Sequence, residues 1–219
     1  DESRGTICPC GEPVGLSVDL HALSSNHSAR SYPHIAVQQT LRNVLAERGL
    51  LPSPQEVTTT PHSNERGDIE VHIEGPGAGA KDWVLEIMVP SPSADCWQPW
   101  ADKPTGVANA ACQIKVRDYD YVANRGKCVA GIILDTCGGI ADPTLKFLSH
   151  VIRQSTPAMR HHGPQLEAAI VRLQFAMISG LRQTFEHQRR TMITPRRSVS
   201  PLCSSTAAGA ASRKFLSGA

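Results

Sequence analysis

The chain has 219 residues, 40% of them hydrophobic and only 5% aromatic, enough for one domain with a mostly aliphatic core plus appendages. A net charge of +2 at pH 7 is too weak a field to declare a nucleic-acid partner by itself. No apolar run approaches the roughly 20 residues of a bilayer span, which points away from a membrane, and the seven scattered cysteines do not form a secreted disulfide framework, so the expectation is an intracellular chain with reduced thiols.

Residues 1–34 are rich in Cys, His, Gly and Ser and have little periodicity; Asp1 in place of Met suggests a fragment of something longer, or a processed or partial gene product. From Ile35 to Arg48 the pattern turns helical, with Ile35, Val37, Leu41, Val44 and Leu45 mostly on one face, stopped by Gly49, Pro52 and Pro54. A polar linker reaches Arg66. In the run Asp68 to Glu74, Ile69, Val71 and Ile73 alternate with polar residues, which predicts a strand with one face on a core. Gly75 to Ala80 forms a turn. A phosphate loop would need Gly before Lys81 and Ser or Thr after it, and Ala80 and Asp82 stand there instead, so a hairpin loop is expected. Trp83 to Val89 predicts a second, central strand ended by Pro90 and Pro92.

Residues 93–106, with Trp97 and Trp100, read as an irregular loop. Val107 to about Asn124 is Ala-rich and helical, and Cys128 to Thr136 is an apolar run of strand length closed by Gly138 and Gly139. Helices are expected from about Pro143 to Gln154 and from Pro164 to Arg190, the latter containing Gly180 at a cost of about 1 kcal/mol relative to Ala. From Thr191 onward Ser, Ala, Gly and Arg predict disorder. The order helix, strand, strand, helix, strand, helix, helix predicts an α/β domain: a mixed central sheet flanked by helices.

Three side chains carry chemistry in this frame. Asp68, Glu70, His72 and Glu74 share one strand face by the two-residue period. Glu86 sits mid-strand between Leu85 and Ile87, where a carboxylate is costly unless it is paired or bound to metal. Two carboxylates on neighbouring strands can hold a hard cation such as Mg²⁺ or Mn²⁺, with Glu70 as an additional ligand. Lys115 recurs with Ala108, Cys112 and Tyr119 on a mostly apolar helical stripe, so it could reach over the sheet to orient a water or stabilise phosphate charge.

Arg66-Gly67-Asp68, Glu86 and Lys115-Val116-Arg117-Asp118-Tyr119 together resemble the restriction-like endonuclease domain of non-LTR retroelements, a branch of the PD-(D/E)XK nuclease superfamily. Ile132 to Gly139 also looks like the segment that follows in such proteins. The resemblance runs from Cys8 to about His150, more weakly to Arg190. It implies a restriction-endonuclease-like fold over residues 35–155, followed by a helical extension, residues 156–190, and the tail, residues 191–219. It further implies a Mg²⁺-dependent DNA endonuclease in the nucleus, with Asp68, Glu86, Lys115 and Tyr119 as catalytic residues. That enzyme would nick target DNA to prime the reverse transcriptase of the same polyprotein. Gly67 stands in place of the family's proline, and Met88 where many members carry lysine. These departures motivate an alternative: a catalytically inactive, nuclease-fold DNA-binding remnant.

Cys8, Cys10 and His21 look like the zinc knuckle that precedes this domain in the same retroelements. Ser25 falls where its last cysteine would be, and His27 or His34 would have to complete a four-ligand Zn²⁺ shell. Otherwise His34 caps the following helix. Arg182, Arg189, Arg190, Arg196 and Arg197 against the single Glu186 make a locally basic stretch, compatible either with a phosphate-binding surface or with a solvated helix end.

Overall fold

The computed structural model describes residues 31–54, 57–58, 66–73, 81–119, 126–155 and 161–193. Its elements in chain order are α1 (Ser31–Ala46), β1 (Val57–Thr58), β2 (Arg66–Gly67), β3 (Ile69–Ile73) and β4 (Lys81–Met88). A 3₁₀ helix (Asp95–Trp100), α2 (Gly106–Asp118), β5 (Cys128–Ile133), α3 (Asp142–Ser155) and α4 (His162–Ile193) follow. The fold is α/β.

The central sheet has the order β3-β4-β5. β3 and β4 run antiparallel, with Ile69 opposite Leu85 and Ile73 opposite Lys81. β4 and β5 run parallel, from Trp83 opposite Cys128 to Met88 opposite Ile133. A parallel pair needs a crossover, and the 3₁₀ helix and α2 supply it. β1 and β2 form a separate two-residue antiparallel ladder inside what the sequence presents as a polar linker.

Strand alternation divides the core in two. Ile69, Val71, Ile73, Leu85, Ile87, Ala130 and Ile132 face a layer built from α1 (Val37, Leu41, Leu45), α3 (Phe147, Leu148, Val151) and α4 (Leu173, Met177). On the other face Ile133 and Met88 meet α2 through Val107, Ala108, Ala111 and Cys112, together with Trp97. The segment around Trp97, expected to be irregular, is a 3₁₀ helix with Pro99 inside it. The Trp97 indole is buried in this second cluster, which gives the segment a packing reason for order.

Several boundaries differ from the sequence pattern; α4, for one, runs on to Ile193, past the Thr191 at which the sequence predicts disorder. α1 starts at Ser31 rather than Ile35, because a proline is tolerated in a helix's first turn and Pro33 therefore does not block it. Ile35 is 52% exposed, whereas Val37, Leu41, Val44 and Leu45 are 0–1% exposed. α2 ends at Asp118, with Tyr119 as its C-cap. Among the described residues no helix is long and apolar enough to cross a membrane.

Candidate active site

Asp68 lies at the bend between β2 and β3 and is 7% exposed. Its Oδ2 accepts the Ile87 backbone N–H at 2.7 Å. Its Oδ1 lies 3.0 Å from His34 Nε2. Burial opposes protonation of His34. The Asp68 hydrogen bond and charge, aided by Glu86, outweigh that and raise its pKa above 6.5 even with Lys115 nearby. Asp68 thus sits among a strand amide, a histidine from α1 and the charge of Glu86.

Glu86 occupies the middle of β4 and is 2% exposed. It lies one step past the last β3–β4 pair, Ile69 opposite Leu85, on the strand face that also carries Val84 and Met88, close enough to Asp68 for that charge to act on it. Burial raises its pKa to about 7, with the Asp68 charge adding to the effect. The Lys115 charge and hydrogen bonds from Tyr119 and Lys115 pull the other way without cancelling it. One oxygen, Oε1, is buried with no partner at hydrogen-bonding distance and angle.

Lys115 reaches this carboxylate from α2, its Nζ 3.4 Å from Glu86 Oε2. The ammonium also stands 5.8 Å from the centre of the Tyr119 ring, within reach of a cation–π attraction. Tyr119 is 8% exposed and packs on Val84. Gly131 on β5 lets α2 come this close: a Cβ there would meet Cys112 Sγ at 2.8 Å. Asp68, Glu86, Lys115 and Tyr119 therefore converge, as their order and spacing suggest.

Glu70 does not join them. It is ion-paired with Lys127, and its backbone N–H donates to Ser53 Oγ. His72 makes an exposed pair with Asp82, its cross-strand neighbour. Glu74, Ser25 and the zinc candidates Cys8, Cys10, His21 and His27 lie outside the described residues. His34 is the residue whose place the sequence conceals. It reads as a zinc ligand or a helix cap, yet it lies within α1 and contacts Asp68. The available signal was its spacing of four from Gln38 and of eight from Arg42, which marks a polar stripe beside the buried apolar one.

Among the described residues no group of three or more His, Cys, Asp or Glu side chains is arranged to hold a metal ion. Mg²⁺ asks for less, because it keeps several waters and binds through one or two carboxylates. Two neighbouring carboxylates, one with an orphaned buried oxygen and a proton affinity raised by burial and by the other's charge, suit a hard divalent cation. No family model matches the chain, and no curated protein matches it.

Proposed function

We propose that this chain is a metal-dependent DNA endonuclease domain with a restriction-endonuclease-like fold, acting in a retroelement polyprotein to nick target DNA for reverse transcription. The observation that carries the reading is the convergence of Asp68, Glu86 and Lys115 at one place on the sheet, with Tyr119 packed against the lysine.

Asp68 and Glu86 would hold Mg²⁺ or Mn²⁺, which when bound polarises a phosphodiester and lowers the pKa of a water. Ile87 N–H and His34 hold the Asp68 carboxylate in orientation, so little reorganisation is left for the moment of reaction. The Lys115 ammonium places a fixed positive charge where the pentavalent phosphate gathers negative charge, and it has N–H groups left to orient the attacking water. Tyr119 walls the lysine on one side and hydrogen-bonds Glu86, which keeps the two charges together.

Incubating the chain with supercoiled plasmid and Mg²⁺ tests this. Nicking should depend on the divalent ion and fall about 100- to 1000-fold in Lys115→Ala, the size expected for removing one preorganised donor. Equal nicking by the variant removes Lys115 from the mechanism. Salt-sensitive retention of DNA with no nicking in any divalent ion would instead indicate an inactive DNA-binding remnant.

A further inference from the structure

We propose that Gln38 and Arg42 are positioning residues that fix Asp68 for the site, an inference that rests on the active-site reading above. Asp68 belongs to neither of its adjoining ladders: β2 ends at Gly67 and β3 begins at Ile69. Continuing the β3–β4 register would set Gly67 opposite Ile87. The chain bends away instead, and Ile87 N–H goes to the Asp68 side chain. At this residue, then, the strand ladder does not dictate the backbone.

α1 supplies what the ladder omits. Gln38 Nε2 donates to the Asp68 backbone carbonyl at 2.9 Å, and Arg42 Nη2 donates to the same oxygen at 3.0 Å. Both lone pairs of that carbonyl have a donor. Arg42 Nε also donates to Ser53 O at 3.0 Å. Ser53 N–H donates to Glu70 O at 2.8 Å, and Ser53 Oγ accepts Glu70 N–H at 2.9 Å, so the guanidinium ties the bend to the outer edge of β3. His34, Gln38 and Arg42 are spaced by four and form one stripe of α1. That stripe grips Asp68 at its side chain and at its main chain.

Gln38 is 8% exposed, against the sheet, where an apolar residue would carry no polar group to satisfy. Among the described residues its amide nitrogen has Asp68 O as its acceptor. Holding that carbonyl restricts rotation of the main chain at Asp68 and so narrows the directions open to its Cα–Cβ bond. The side chain, with Oδ2 on Ile87 N–H, is then held from both ends.

The Ile87 amide reports the Asp68 pose directly, independently of activity. Hydrogen exchange of the whole chain, followed residue by residue by NMR, should show Ile87 exchanging at least about tenfold faster in Gln38→Leu/Arg42→Leu, with the β4–β5 ladder amides unchanged. In the milder Gln38→Met the same amide should move in the same direction. The Mg²⁺ concentration giving half of the maximal thermal shift should rise about 10- to 100-fold in the double variant, the usual effect of losing groups that orient a ligand. Unchanged Ile87 exchange in both variants overturns the proposal. So does a uniform acceleration of all amides, which would mean that the two residues serve only general stability. If the wild type shows neither Mg²⁺ uptake nor nicking while Ile87 still responds, the nuclease reading fails and the control of Asp68 by α1 stands.

Discussion

Glu86 is the residue on which the energetics of the site turn. Its folded pKa of about 7 lies above the ordinary 4.5, so the folded state holds the proton more tightly. Stability must then fall as pH rises from about 4.5 to about 7, and the full deficit persists above that window. Glu86→Gln removes the term. Urea denaturation should find the variant more stable than wild type by roughly 1–3 kcal/mol at pH 8, with little difference at pH 4.5. Parallel pH profiles for the two proteins would contradict this. Mg²⁺ should raise the melting temperature of the wild type at pH 8 more than at pH 5, where the proton competes for the carboxylate, and this gain should vanish in Asp68→Asn. The alternation of strand faces sets Glu70 beside Asp68, yet Asp68 stands at a bend outside β3 and Glu70 pairs with Lys127. Glu86 and Lys115 were legible in the sequence, because each is a charge that interrupts an apolar run. His34 was not. Its partner Asp68 lies 34 residues away, and no local periodicity carries a tertiary contact of that kind.

Helix contacts decide where these residues stand. Gly180 in α4 reads from sequence as a simple loss of helix propensity, yet a Cβ there would lie 2.5 Å from Pro33 Cα. The glycine admits the first turn of α1, one residue before His34. Gly180→Ala should therefore destabilise the fold by about 1–3 kcal/mol, as overpacking does, although Ala is the better helix former. Chemical denaturation measures it, and a stabilised variant would contradict the packing argument. Gly131 plays the same part for α2. Gly131→Ala should push Cys112, and with it Lys115, away from Glu86 and slow nicking. Cys112→Ala should restore part of the loss in the double variant by emptying the space that Cβ needs. No recovery would mean that the two residues are not coupled through that contact.

Across the whole molecule, the α/β order and the mixed sheet could be read from the alternation of periods two and 3.6. The role of α4 could not. The sequence presents residues 156–190 as an extension, but Leu173 and Met177 are 0–1% exposed in the same core as Leu41, Ile87 and Ile132. Periodicity shows that a helix has an apolar face and not which surface that face covers. A chain ending at Ser155 should lose the cooperative unfolding transition of the full chain, seen by circular dichroism, because it would leave α1 and the sheet without that cover. A retained cooperative transition would make α4 an appendage after all. The β1–β2 ladder escaped sequence reading for another reason: two residues per strand give no alternation to detect.

The claim beneath all of this is that Asp68 and Glu86 share one divalent cation. A crystal of the chain grown with Mn²⁺ tests it most directly. The account predicts a single anomalous peak between the two carboxylates, with oxygens at about 2.0–2.3 Å, the Lys115 amine nearby, and no peak in Asp68→Asn. Ordered carboxylates with no peak between them, or a peak that survives in Asp68→Asn, would contradict it.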